Sequence, residues 1–187
     1  GIQGIAGLGL IGALGNGAFE AIAKAADLDA PAGKALGAKL ALVRNQKVVV
    51  SPSEFDKQVV GEMLNRAVCL LSGEKKPKDA WKKLVGAGKS DVVGLKVNNL
   101  GGKNCRTAPE LVYAVAENLQ SIDVRPSNII IWDRNSKELA DRGYIVNTTM
   151  DGVRCFGTDP DSGLVEKTSV IGGKDIHLSK ILAEDIS

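Results

Sequence analysis

Two short apolar segments with an amphipathic stretch between them occupy the middle of the chain. Val92–Val97 and Ile129–Trp132 are apolar and rich in β-branched residues, which predicts two mostly buried strands. A helix is predicted over about Pro109–Ser121, with apolar side chains at helical spacing that would face the sheet: Leu111, Val115, Leu119 and Ile122. Parallel strands joined by a helix cross over right-handed, so both strands should end at the same edge of one sheet.

The start of this helix allows two interpretations. Thr107 and Glu110 have the spacing of a capping box, and Pro109 falls in the first turn, where its missing N–H is harmless. Ala108 precedes a proline and is therefore biased towards extended backbone, which makes it the alternative N-cap.

Further helices and strands are predicted on both sides of this unit. The capping box Ser51-Pro52-Ser53-Glu54 should begin a helix that continues to about Ser72 and stops at Gly73, with apolar residues at every fourth position: Phe55, Val59, Met63, Ala67 and Leu71. A short helix around Trp81 should end near Gly86–Gly88. The other predicted elements are strands at Leu40–Val43 or Val48–Val50, at Gly152–Phe156 and at Lys167–Ile171, a turn at Gly172–Asp175, and a short helix at Ser179–Asp185. The predicted fold class is α/β, with a mostly parallel central sheet and flanking helices over residues 39–187.

The first 38 residues have a different character. Gly1–Phe19 is uncharged and rich in glycine, and Ala23-Lys24-Ala25 has the A-x-A form of a cleavage site. These features are typical of the apolar core of a twin-arginine export signal. Residues 1–38 are therefore predicted to be a signal-like apolar helix and a linker outside the α/β domain.

The same stretch contains a nucleotide-binding pattern. Gly7–Gly12 matches G-x-G-x-x-G, which in a dinucleotide site follows a strand, opens a helix and precedes a second strand that ends in an acidic residue. Ile2–Ala6 is a poor strand and nothing β-like precedes Asp27 or Asp29, which favours the export signal. An ordinary buried helix is the third interpretation.

The composition of the chain argues against several classes of function. A net charge of +2 and an aromatic content of 4% argue against a nucleic-acid partner. Cys69, Cys105 and Cys155 lack C-x-x-C spacing, so the sequence predicts neither a zinc site nor an iron–sulfur cluster, and any cofactor stays unknown. Pairing of Cys105 with Cys155 is left open. His177 is the only histidine, so no Ser/His/Asp or Cys/His arrangement is predicted.

Polar side chains at the two strand ends form the candidate site. Lys96 and Asn98 flank Val97 and share one face of the strand, where a lysine is costly unless it is paired or reaches the edge. The candidate catalytic residues are Lys96 and Asp133, and the candidate ligand-binding residues are Asn98, Gly101, Gly102, Lys103, Arg106 and Thr107. Exposed glycine N–H groups and a helix N-terminus suit a small anionic ligand. No metal ligand is proposed.

Each candidate also has a purely structural explanation. Lys96 and Asp133 could form an ion pair that serves only the fold, and the loop at 98–106 could simply be solvated. Asp133 or Asn135 could cap a helix around Ser136–Asp141.

The run DVVGLKVNNLGGKNCRTAPELVYAVAENL, followed by NIIIWDRNSKELADRGY, resembles the family called domain of unknown function 362. The resemblance rests on Lys96 with Asn98, on Thr107 to Glu110, on Asp133 and on Gly143-Tyr144. It covers roughly residues 39–187, and because family members usually continue further, the chain is expected to be a fragment. The family implies export by the twin-arginine translocation machinery to the periplasm or cell envelope. Relatives fused to ferredoxin-like modules imply redox-linked chemistry.

Two functional hypotheses follow, and a third is weaker. The first is an exported enzyme or redox-linked protein that handles a small anionic ligand at the strand-exit edge. The second is a non-catalytic binding module of the cell envelope. The third is a nucleotide-dependent oxidoreductase that uses the glycine pattern near the start of the chain. The sequence predicts neither the reaction nor the oligomeric state.

Overall fold

The structure is a computed structural model that describes residues 20–26, 38–52, 54–100, 106–159, 163–171 and 173–186. Within these ranges the strands are β1 (Glu20–Ala26), β2 (Ala38–Arg44), β3 (Val49–Ser51), β4 (Glu54–Phe55), β5 (Val93–Lys96), β6 (Ile129–Asp133), β7 (Arg154–Gly157), β8 (Leu164–Ile171) and β9 (Lys174–Ser179). The α-helices are α1 (Lys57–Ser72), α2 (Pro77–Val85), α3 (Pro109–Ser121) and α4 (Ser136–Asp141). Single helical turns lie at Gln46–Val48, Pro126–Asn128 and Ile181–Asp185. The predicted signal helix at Gly1–Phe19 lies outside the described residues.

A parallel sheet forms the centre of the described α/β unit. Its described strands run in the order β5-β6-β7, with Lys96 opposite Trp132 and Asp133 opposite Gly157. The predicted parallel pairing of the two apolar segments is confirmed, as is the helix between them. The other described strand pairs are antiparallel: β1 with β2, β3 with β4, and β8 with β9.

The two faces of this sheet are covered by apolar side chains to different extents. On one face, α1, α2 and α3 enclose the large core, whose buried members are Val48, Val60, Met63, Leu64, Val68, Ala80, Trp81, Leu111, Ala114, Ala116, Leu119, Ile122, Val124 and Ile129. The strand-exit core continues this face towards the ends of the strands, with Val97, Val112, Ile131, Leu139, Tyr144 and Cys155. The opposite face carries the Trp132 core of Ile130, Trp132 and Ile181. Burial thus lies mainly on the side of α3.

The predicted start of α1 is wrong, although its end is confirmed. The helix begins at Lys57 because Asp56 is the N-cap, and its Oδ1 accepts a hydrogen bond from the Val59 N–H at 2.9 Å. Ser51 and Glu54 lie instead in β3 and β4. The helix ends at Gly73, whose φ of 77° suits a residue without a side chain. The buried positions of α1 are Val60, Met63, Leu64 and Val68, so of the predicted series only Met63 is among them.

Three of the described strands were not predicted, namely β1, β4 and β9. β1 lies inside the segment predicted to be signal and linker, and it ends immediately before Asp27, so the statement that nothing β-like precedes Asp27 is wrong. Its sequence is rich in alanine, and it is a strand because it pairs with β2, an example of context overriding propensity. That pairing is antiparallel, unlike the parallel pairing of a dinucleotide-binding unit. The predicted turn at 172–175 overlaps the start of β9.

Candidate functional site

Asp133 is the buried centre of the strand-exit edge. It is the last residue of β6 and is only 2% exposed. Its Oδ1 accepts hydrogen bonds from Lys96 Nζ at 2.7 Å and from the Arg134 N–H at 2.8 Å, and its Oδ2 accepts one from the Asn99 N–H at 2.9 Å. Both oxygens therefore have protein donors, which is the condition for keeping a carboxylate charged in a buried position.

Lys96 reaches this carboxylate from the opposite face of the sheet. Its Nζ lies 5.5 Å from the centre of the Trp132 ring, where the ring face attracts a cation. The same Nζ donates to the Val97 carbonyl as well as to Asp133. The Lys96 side chain is 49% exposed, so the ion pair is open to solvent on the side of the lysine.

The two ends of the polar loop are joined to each other. The Asn98 N–H donates to Thr107 Oγ1 at 3.0 Å, and the Thr107 N–H donates to the Asn98 carbonyl at 3.0 Å. Thr107 Oγ1 is therefore turned towards the end of β5 and does not cap α3. The N-cap is Ala108, as the alternative interpretation held, and the capping-box prediction is wrong.

The remaining predicted site residues divide into two groups. Gly101, Gly102 and Lys103 lie outside the described residues. Arg106 Nη1 donates to the Arg142 carbonyl at 3.1 Å, which holds the guanidinium against the C-terminal end of α4. The structure thus pairs Lys96 with Asp133 and Asn98 with Thr107, and the bond from the Asn99 N–H to Asp133 ties the end of β5 to the end of β6.

The start of α4 explains the polar residues after β6. Asn135 is the N-cap, and its Oδ1 accepts hydrogen bonds from the N–H groups of Lys137 at 2.8 Å and Glu138 at 3.3 Å. Asp133 makes no such bond, so of the two predicted capping residues only Asn135 caps the helix. The Asp133 carboxylate is left to hold Lys96.

Asn99 is a site residue that sequence reasoning missed. It is 2% exposed, and neither Oδ1 nor Nδ2 of its side chain has a hydrogen-bond partner among the described residues. Its backbone N–H contacts Asp133 directly. A signal was available, because period two puts Asn99 on the same face as Leu95 and Val97, which is the buried face of the strand.

Tyr144 supports the far side of the loop, and Tyr113 lies beside it. The Tyr144 hydroxyl donates to the Thr107 carbonyl at 2.9 Å, and the Tyr113 hydroxyl accepts from the Ile145 N–H at 2.9 Å. Burial raises the pKa of both phenols, so both stay neutral through the physiological range. The neighbouring Cys155 thiol is also protonated, because burial raises its pKa to about 11.

The described part of the chain contains neither a metal-binding cluster nor a membrane-spanning helix. No group of three or more His, Cys, Asp or Glu side chains there could hold a metal ion. His177 lies in β9, with Nδ1 2.9 Å from the Val165 carbonyl. Among the described helices, none has the length and apolar character required to cross a bilayer.

Comparison of the chain with protein-family models, with curated proteins and with solved structures finds no match. The described fold alone therefore defines the class, which is a mixed α/β protein with a parallel sheet. These comparisons assign no family to the chain.

Proposed function

We propose that the strand-exit edge of the parallel sheet binds a small anionic ligand, with Lys96 as the charged contact. The observation that carries this proposal is a half-exposed lysine held in place by a buried carboxylate. The exposure lets the ammonium keep part of its hydration, which lowers the desolvation cost of the ion pair, and it also leaves the lysine accessible to a ligand.

The hydrogen-bonding capacity left at this edge favours an anion. An ammonium group has three donors, and contacts within the described ranges use two of them, to Val97 and Asp133. The Nδ2 of Asn98 and the hydroxyl proton of Thr107 also have no acceptor among the described residues. Three donor groups at one edge suit oxygens of a carboxylate or phosphate.

Asp133 fits a positioning role better than that of a general base. A base needs a lone pair that faces the substrate, but Asp133 is only 2% exposed and its two oxygens already accept three hydrogen bonds from the protein. Its charge fixes the position of Lys96 and orients the remaining N–H. This arrangement favours a binding protein as much as an enzyme, so the non-catalytic module stays the second candidate.

We extend the proposal to family and location on the sequence resemblance. An exported member of the domain of unknown function 362 family, redox-linked through a partner, is consistent with the motif at Lys96, Asn98 and Asp133. Fractionation of the cells that naturally make the protein tests the location, and recovery in the cytosol alone would contradict export. The nucleotide-dependent reading receives no further support, because its glycine pattern at Gly7–Gly12 lies outside the described residues.

The binding proposal is tested by replacing the lysine. Lys96→Met should weaken binding of inorganic phosphate and of succinate about tenfold or more, since a charge-assisted hydrogen bond contributes roughly 1.5–3 kcal/mol. Binding is measured by isothermal titration calorimetry. Lys137→Met is the matched control, because Lys137 is exposed on α4 and pairs with Asp141. Its affinity for both anions should equal that of the wild type.

The structural alternative gives a different result. Lys96→Met leaves Asp133 with two backbone N–H donors, so we expect a small change in melting temperature. If Lys96→Met instead unfolds the protein and the double variant Lys96→Met/Asp133→Leu restores stability, the ion pair serves only the fold. The binding proposal then fails.

A further inference from the structure

We infer that Trp132 is a positioning residue of the anion site, which holds the Lys96 ammonium in place for a ligand, and that Ile186 in turn holds Trp132. The inference rests on the proposed binding of an anion by Lys96 and adds the residues that set its strength. It starts from a contact outside the ion pair, because the Lys96 Nζ lies 5.5 Å from the centre of the Trp132 ring.

The pairing of β5 with β6 places these two side chains together. Lys96 and Trp132 lie directly opposite each other in the parallel ladder, so their side chains leave the sheet on the same face. The ring is 9% exposed and belongs to the Trp132 core, whereas the lysine beside it is half-exposed. Trp132 is therefore a fixed surface next to a side chain that has more freedom to move.

A lysine with this freedom needs to be held if it is to bind well. Its four-carbon stem has many rotamers, and only some of them bring Nζ to the strand-exit edge. Asp133 and the Val97 carbonyl favour one position through hydrogen bonds, and the ring adds a cation–π attraction to the same position. Apparent affinity falls with the population of the binding-competent state. A ring that raises this population therefore raises affinity without touching the ligand.

The type of ring at position 132 suits a cation. The Trp132 Nε1–H is buried and has no acceptor among the described residues, a cost that phenylalanine or leucine would avoid. Among aromatic side chains, however, tryptophan attracts a cation most strongly. Its contact with the Lys96 ammonium uses this property.

Ile186 holds the ring from the segment that follows β9. Its side chain packs against the Trp132 core and lies on the main chain of Gly94, where an added Cβ would clash with it and lie 3.2 Å from Trp132 Nε1. The Ile186 N–H donates to the Ile181 carbonyl at 3.1 Å, and Ile181 is buried in the same core. Ile186 therefore fills the space beside the indole, and removing its side chain should let the ring move.

Replacing the ring tests the positioning role. Trp132→Leu should weaken the binding of succinate and of inorganic phosphate about two- to fivefold in isothermal titration calorimetry, as expected for a cation–π contact at a partly exposed site. Trp132→Phe keeps an aromatic face and should restore most of this affinity. Ile186→Ala should weaken binding by no more than Trp132→Leu does. Leu182→Ala is the matched control, because Leu182 is an exposed residue of the same segment, and it should bind as the wild type does.

A double variant shows whether Ile186 acts through Trp132. If it does, Trp132→Leu/Ile186→Ala should bind both anions as Trp132→Leu does, because the ring that Ile186 holds is already gone. Losses of affinity that multiply in the double variant would overturn this role of Ile186.

The emission of Trp132 gives a second readout, which stays available if Trp132→Leu fails to fold. The chain has two tryptophans, so Trp132 is the fluorophore that remains in Trp81→Phe. Succinate should change its emission with the dissociation constant that calorimetry gives, because the ligand contacts the ammonium beside the ring. Adding Lys96→Met to this variant should abolish the change.

The failures of the two proposals are distinguishable. If neither anion binds the wild type, or if Lys96→Met leaves binding unchanged, the anion site itself is wrong. If both anions bind through Lys96 but Trp132→Leu binds them as tightly as the wild type, only the positioning role is overturned. The same conclusion follows if Trp132→Phe binds no better than Trp132→Leu, or if succinate leaves the Trp132 emission unchanged.

Discussion

Burial sets the protonation state of the Cys155 thiol in the strand-exit core. Cys155 lies in the strand-exit core at 1% exposure, beside Val97 and Ile131. Burial raises the pKa of this thiol from 9.0 to about 11, because the thiolate would lose its water. The thiol therefore behaves as an apolar group at neutral pH.

This shift predicts a loss of stability in alkali. Below pH 9 both folded and unfolded chains hold the Cys155 proton, so the thiol has no effect on stability. Between pH 9 and about 11 only the folded chain holds it, and the free energy of unfolding should fall by about 3 kcal/mol over this window. Urea unfolding at pH 8, 9 and 10 under reducing conditions measures this slope.

Cys155→Val is the matched variant for this measurement, and Cys69→Ala is its control. The valine should flatten the alkaline slope, while the more exposed Cys69 should contribute much less. Tyr113 and Tyr144 have raised pKa values as well and leave a residual slope of the same sign at higher pH. An unchanged slope in Cys155→Val would contradict the buried thiol.

The Lys96–Asp133 contact was within reach of sequence reasoning, whereas Asn99 was not singled out. Parallel strands place consecutive strand ends at one edge, so a lysine and a carboxylate there must meet. Asn99 differs because what marks it is a buried side chain without a hydrogen-bond partner among the described residues. Whether a buried side chain finds a hydrogen-bond partner depends on all of its neighbours in the fold, and residue spacing in the sequence does not reveal those neighbours.

Close contact between two elements constrains the junction of β7 and α4. A Cβ added at Gly157 would lie 2.5 Å from the carbonyl carbon of Asn135 and 2.6 Å from its Cα, and it would also clash with the Ser136 nitrogen. These are backbone atoms at the start of α4, which cannot rotate away. Only glycine allows β7 to approach the helix this closely.

Gly157→Ala should therefore destabilise the protein by about 1–3 kcal/mol or more, which is the usual cost of overpacking. Gly61→Ala is the opposite case, because nothing lies within 4 Å of an added Cβ in the middle of α1. That change should stabilise by about 0.5–1 kcal/mol. Urea unfolding followed by circular dichroism gives both values. A Gly157→Ala variant as stable as the wild type would refute the close approach.

Elements with strong local signals were predicted well, and those created by pairing were not. The helix α3 has a proline at its first position and a continuous apolar stripe, so its bounds are confirmed. The start of α1 was misplaced because two capping candidates lie within six residues, and Asp56 makes the actual bond. Strand β1 exists through its ladder with β2, and alanine-rich sequence carries no local sign of it.

Across the whole described unit, the two faces of the sheet should differ in local stability, because they are covered by apolar side chains to different extents. Helices α1 to α3 bury one face, while the Trp132 core is closed mainly by Ile181 and the partly buried Ile186. Regions with few buried apolar contacts open at lower free energy than the main core. The side of the sheet opposite α3 should be the first to open.

The chain has two tryptophans, and each reports on one of these faces. Trp81 is 7% exposed in the large core, and Trp132 is 9% exposed on the other face. Trp81→Phe leaves Trp132 as the fluorophore, and Trp132→Phe leaves Trp81. We expect the Trp132 emission to shift to longer wavelength at a lower urea concentration than the Trp81 emission. The helical circular dichroism should follow Trp81, because α1 to α3 pack around it. Coincident transitions for all three signals would instead establish a single cooperative unit and refute the unequal stability of the two faces.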